Sequence, residues 1–106
     1  MPTYISIIVP CFNEERSIGL LLDSILHQSY PVEDMEVIIA DGMSTDGTRV
    51  EVKDFADKHP EIRVHLIDNP KRIIPAALNR AIEHAKGEIL IRLDAHSVPA
   101  QDYIEK

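Results

Sequence analysis

Short runs of β-branched residues alternate along this chain with longer stretches in which apolar positions recur every three or four residues. Tyr4 to Val9 (YISIIV) is almost wholly apolar, as a strand covered on both faces should be, and Pro10 is expected to close it. Asn13 then stands where it can cap a helix whose first turn carries Glu14 and Glu15, favourable at the positive end of the dipole. Ile18, Leu21, Leu22, Ile25 and Leu26 fall on one helical stripe. Ser29-Tyr30-Pro31 ends that helix, because the residue before proline resists helical dihedrals. Met35 to Ala40 (MEVIIA) reads as a second strand. In the turn-rich run from Asp41 to Thr48, Ser44, Thr45 or Asp46 can cap a second helix reaching about Lys58, with Val52, Phe55 and Ala56 inward. Arg63 to Ile67 is a short third strand. Pro75 suits the first turn of a third helix with the stripe Leu78, Ala81, Ile82 and Ala85, which Gly87 ends as a C-cap. Glu88 to Leu93 (EILIRL) is the fourth strand, and Asp94-Ala95-His96 lies just past its carboxyl end.

The order β-α-β-α-β-α-β predicts an α/β fold, an open, mostly parallel sheet with helices on both faces. Ligands in such sheets bind outside the carboxyl ends of the strands. The polar clusters after strands one, two and four are therefore the candidate site.

Composition narrows the picture. The 106 residues, 44% hydrophobic and 27% charged, fit one globular domain. A net charge of −7 argues against a broad basic surface for nucleic acid. The single cysteine, Cys11, excludes an internal disulfide framework and points to a reducing compartment. No apolar run approaches transmembrane length and no basic leader precedes the first strand, so a cytoplasmic location is expected. Pro10-Cys11-Phe12-Asn13-Glu14 stands where a dinucleotide fold carries G-x-G-x-x-G, which disfavours nicotinamide or flavin, and no P-loop is present.

Asp41 follows the second strand directly. Its carboxylate can accept from a base N–H or a ribose hydroxyl, or simply bond its own turn. Asp94 and His96, two apart in an extended segment, point the same way and can reach one divalent ion, although a loop carboxylate and an exposed histidine give the same pattern. Lys71 and Arg72 can meet phosphate from a second side or lie in a solvated loop. His27, His59, His65 and His84 share no spacing, and Cys11 has no legible triad around it and reads as a passive thiol.

Four ordered segments resemble the N-terminal half of family 2 glycosyltransferases, inverting enzymes of the GT-A fold. They are S-I-I-V-P-C-F-N-E-E (Ser6–Glu15), V-I-I-A-D-G-M-S-T-D-G-T (Val37–Thr48), N-P-K-R-I-I-P-A-A-L-N-R-A-I (Asn69–Ile82) and K-G-E-I-L-I-R-L-D-A-H-S-V-P (Lys86–Pro99). Through P-A-A-L-N and R-L-D-A-H the chain is most similar in flavour to succinoglycan-type exopolysaccharide glucosyltransferases. The resemblance implies that Pro10, Phe12 and Glu14 line the nucleoside pocket. It further implies that Asp41 accepts from the base, that Arg72 approaches the diphosphate, and that Asp94 and His96 occupy the ends of D-x-D, facing ribose and metal.

Two departures stand out. Gly42 and Met43 replace the Asp-Gly of D-D-G-S, and His96 replaces the second Asp of D-x-D, which favours Mn²⁺ over Mg²⁺. By the same resemblance the general base and most acceptor contacts lie beyond D-x-D. Residues 1–106 are thus expected to be the nucleotide-sugar-binding half of a truncated enzyme, inactive alone, whose full-length form takes a UDP-sugar and a glycan or lipid-linked acceptor, in some cases at a membrane. An unpaired sheet edge would favour a homo-oligomer. The alternatives are a non-catalytic nucleotide-sugar-binding or assembly module and, more distantly, a flavodoxin-like signalling or phosphatase domain.

Overall fold

The computed structural model describes residues 3–70 and 74–94. Within them the chain runs β1 (Ile5–Cys11), α1 (Ile18–Leu26), a 3₁₀ turn (Val32–Asp34), β2 (Met35–Asp41), α2 (Thr48–Lys58), β3 (Arg63–Asp68), α3 (Ile74–His84) and β4 (Ile89–Arg92). The four strands form one sheet in the order β3-β2-β1-β4, and every neighbouring pair is parallel. This is the α/β fold expected, and because the strands are parallel all four carboxyl ends lie along the same edge.

Side-chain alternation divides the core in two. On one face Ile5, Ile7, Val9, Met35, Val37 and Ile39 pack with Ile18, Leu21, Leu22 and Ile25 of α1 and Val52 of α2. On the other Ile8, Ile38 and Ala40 meet Ala81 of α3, flanked by Leu78 and Ala85. Helices therefore cover both faces. Ile82, assigned inward from its spacing, lies at the flank of that stripe and is half exposed.

Three local expectations change. Strand β1 does not close at Pro10 but continues to Cys11. Leu93 N–H donates to Ile8 O, so even-numbered positions of β1 turn their backbone groups toward β4. Strand β4 ends at Arg92, opposite Ile8, so the N–H that Pro10 lacks removes no ladder bond. Asn13 does not cap α1; the helix starts at Ile18 behind Ser17, and Asn13 sits at φ 50° with its side chain turned to the next loop. Gly87 is not a C-cap either, since α3 stops at His84. A Cβ at Gly87 would lie 2.5 Å from Ser6 N and 2.9 Å from Ile5 C, so glycine is required by close backbone approach to β1.

That approach is fixed by a buried polar cluster at the amino end of the sheet. Ser6 Oγ donates to Glu36 Oε2 at 2.6 Å, Lys86 N–H donates to the same oxygen at 2.8 Å, and Gly87 N–H donates to Ser6 Oγ at 2.8 Å. His65 Nε2 lies 3.2 Å from Glu36 Oε1. Burial pushes the Glu36 pKa up, but the bonds from Ser6 and Lys86 outweigh it and hold the carboxyl below its usual value.

Candidate functional site at the carboxyl ends of the strands

Cys11, Asp41 and Asp68 close three adjacent strands in register, forming one row at the carboxyl edge. Backbone bonds seal the row as the chain leaves it: Gly42 N–H donates to Cys11 O and Asn69 N–H to Asp41 O, each at 2.8 Å.

The loops after β1 and β2 are joined above this row. Asn13 Oδ1 accepts from Thr45 N–H at 2.8 Å, and Asn13 N–H donates to Ser44 Oγ at 2.8 Å. Glu14 N–H donates to Thr48 Oγ1 at 2.9 Å. Asn13 tolerates the left-handed conformation this needs because its short polar side chain bonds locally. The N-cap of α2 is Gly47 and not Ser44, Thr45 or Asp46; Asp46, one residue earlier, still accepts Thr48 N–H at 3.0 Å. Gly47 passes so close that a Cβ there would meet Glu15 Oε2 at 2.5 Å. Met43 has φ 63°, in the left-handed region, where the D-D-G-S pattern has its glycine.

Asp41 anchors the site. Its side chain has no exposed surface. Oδ2 accepts from Ser44 N–H at 2.9 Å and Arg49 Nε at 2.7 Å, while Oδ1 accepts from Ser44 Oγ at 2.5 Å and faces Cys11 Sγ at 3.7 Å. A base N–H would reach this carboxylate only by displacing one of those donors. Beside it the Cys11 thiol is pushed up to about 12, first by burial and then by the Asp41 charge.

Arg49 extends the network sideways. Its Nη2 donates to Asp68 Oδ1 at 2.6 Å, so one guanidinium joins the ends of β2 and β3. The bond to Asp68 is the main cause that raises the Arg49 pKa, with Asp41 adding and burial opposing. Neither Arg49 nor Asp68 was singled out from the sequence. A usable signal was there: a cation in the first turn of a helix opposes the dipole and needs carboxylates nearby to hold it.

The remaining candidates are distributed along the same edge. Pro10 is buried near the end of β1, Phe12 is exposed in the following loop, and Glu14 is partly buried and accepts Ser17 Oγ at 2.9 Å. Asp94 lies just past β4, half exposed, with Arg92 Nη2 3.4 Å from Oδ1. Arg72, His96 and Lys71 lie outside the described residues. Among the described residues no three metal-ligating side chains converge. Asp94 offers a hard, solvent-reachable oxygen, which suits a divalent cation shared with other ligands rather than caged by protein.

Residues 6–106 match the model of the glycosyl transferase family 2. The succinoglycan biosynthesis protein ExoA of Rhizobium meliloti is 43% identical over 102 residues, covering 94% of this chain and 30% of that protein. The mannosyltransferase PcManGT of Pyrobaculum calidifontis, solved with GDP-Man and Mn²⁺, superposes with TM-score 0.89 at 38% identity, over 95% of this chain and 30% of the other. TarS of Staphylococcus aureus, solved with UDP, superposes with TM-score 0.83 at 25% identity, covering 96% of this chain and 30% of that one. The chain thus spans 30% of the length of each of these three proteins. With a family match over nearly its whole length and the parallel sheet to go with it, this chain belongs to glycosyl transferase family 2.

Proposed function

We propose that these residues form the donor-binding part of a glycosyltransferase, holding a nucleoside-diphosphate sugar for inverting transfer to an acceptor hydroxyl. The observation that carries this reading is the row of strand ends Cys11–Asp41–Asp68 under two joined loops, at the edge where open parallel sheets take nucleotides. The likeness to PcManGT, solved with a sugar nucleotide, supports it.

The parts of the row divide the work. Pro10, Phe12 and Glu14 border the nucleoside on the β1 side, and Asp41 fixes the loop that closes over it. Asp94, with His96 beyond it in sequence, would hold a divalent ion, Mn²⁺ by preference for the imidazole. Such an ion supplies positive charge against the departing diphosphate. Arg72, which precedes α3 in sequence, would add a cation toward the same diphosphate.

Calorimetric titration of the purified chain with nucleoside diphosphates, with and without Mn²⁺, tests the reading. Saturable binding that tightens with the ion is expected. No binding of any nucleoside diphosphate at millimolar concentration contradicts it.

A further inference from the structure

We propose that Glu36 and Ser6, at the amino edge of the sheet, are positioning residues for Asp94 at the opposite edge: together they lock the register of β4 along β1. The proposal rests on the donor-binding reading above, in which Asp94 holds the ion, and names what places that carboxylate.

Strand β4 is poorly equipped to set its own register. It has four residues, β1 is its one neighbour among the described strands, and Ile89 and Leu90 are 48% and 44% exposed. A slip of one residue is opposed, because it would turn Ile91 and Leu93 out of the core they pack against. A slip of two keeps every side chain on its own face, so the apolar alternation does not resist it. At a rise of about 3.3 Å per residue, that slip would carry Asp94 about 7 Å along the edge. The shift is several times the distance at which a hard cation binds oxygen.

The connection from α3 supplies what the strand lacks. Glu36 Oε2 accepts from Lys86 N–H at 2.8 Å and from Ser6 Oγ at 2.6 Å, and Ser6 Oγ accepts from Gly87 N–H at 2.8 Å. Two successive amides are thus docked on β1 and β2, just before Glu88 N–H donates to Tyr4 O at 2.9 Å. The Glu36 side chain is 1% exposed, and its other oxygen lies 3.2 Å from His65 Nε2. An ionised carboxylate only accepts, so the donors on its two oxygens fix one orientation. Gly87 completes the lock. A Cβ there would lie 2.5 Å from Ser6 N, and a two-residue slip brings Ala85 or Ile89 to the same point. From this start the ladder runs to Leu93 N–H, which donates to Ile8 O at 3.0 Å, and Asp94 follows.

Amide exchange of the labelled chain without ligand reads the register. Glu36→Gln keeps the size but turns an amide donor toward groups that themselves donate. Ser6→Ala removes the acceptor of Gly87 while leaving Glu36 to Lys86, and it carries the comparison if Glu36→Gln does not fold. In both, the Leu93 amide should exchange at least about tenfold faster, while Asn69 N–H, bonded to Asp41 O, keeps its protection.

Calorimetric titration with UDP and with GDP, each with and without Mn²⁺, reads the consequence. Both variants should lose most of the affinity that the ion adds, with metal-free affinity within about threefold of the unmutated chain. In Asp94→Asn, which removes the ion's contribution itself, Glu36→Gln should change it no further. Ile25→Val, a core truncation in α1 that destabilises without touching the lock, should leave the ion's contribution intact. Unchanged protection of Leu93, or an ion's contribution unchanged in both variants, overturns the proposal. Equal losses with and without Mn²⁺ overturn it as well, and mark a merely structural role. An unmutated chain that binds nucleotide with no gain from Mn²⁺ also removes the proposal and leaves nucleotide binding standing. Failure of both nucleotides to bind removes the donor-binding reading and the proposal with it.

Discussion

Arg49 Nε and Asp41 Oδ2 form a 2.7 Å ion pair in which the carboxylate has no exposed surface and the guanidinium keeps about 29% of its own. Removing the cation would leave a buried charge uncompensated. Arg49→Met should therefore destabilise the fold by about 3 kcal/mol, the low end for breaking a buried pair, because water reaches one side of this one. In a double-mutant cycle with Asp41→Asn, the second substitution should cost far less once the first is made. Urea midpoints of the four proteins check both, and additive losses would mean that the pair does not hold the loop.

Met43 occupies the left-handed region at φ 63° with a side chain that disfavours it. Met43→Gly should relieve about 1 kcal/mol of backbone strain, partly offset by the freedom glycine gains in the unfolded chain. Loss of the 3.7 Å contact between Met43 Sδ and Arg49 Nη2 is a minor cost. A small rise in thermal midpoint is expected, and a fall would locate an unrecognised packing role in the thioether.

The Glu36 cluster predicts an acid response. Its folded pKa lies below the ordinary value of 4.5, so on acidification the unfolded state takes up the proton first. The stabilisation is complete above about pH 4.5 and is lost as pH falls through the folded value. Denaturant midpoints of the unmutated chain should drop more steeply between neutral pH and pH 3 than those of Glu36→Gln. Parallel curves would contradict the assignment.

Cys11 should be chemically silent in the folded chain. Its thiol is buried and pushed up to about 12, so the reactive thiolate is scarce at pH 8. Iodoacetamide labelling followed by mass should show one adduct in denaturant and essentially none in buffer over the same interval.

The elements were legible in the sequence because each has a repeating reason. Ile18, Leu21, Leu22 and Ile25 mark a helix, and YISIIV and MEVIIA mark doubly covered strands. What was not legible depends on contacts between distant residues. Asn13 looks like a cap until β2's loop is brought beside it, 32 residues away, to supply Thr45 N–H. Gly87 looks like a helix stop until Ser6, 81 residues away, is seen bonded to its N–H. Asp41 follows a strand directly and is legible for that reason, whereas Asp68 carries no motif, Arg49 only the signal of a cation in a helix's first turn, and their pairing becomes visible only when β3 is placed beside β2.

The central claim is that a nucleoside diphosphate sits on the carboxyl edge of this sheet. An amide NMR titration of the labelled chain with UDP and with GDP tests it most directly. The account predicts shifts at Asn13, Gly42, Ser44, Thr45, Asn69 and Asp94, with Ser6, Glu36 and Gly87 at the opposite edge unmoved. Shifts concentrated around Ser6, Glu36 and Gly87, or none at saturating nucleotide, would contradict it.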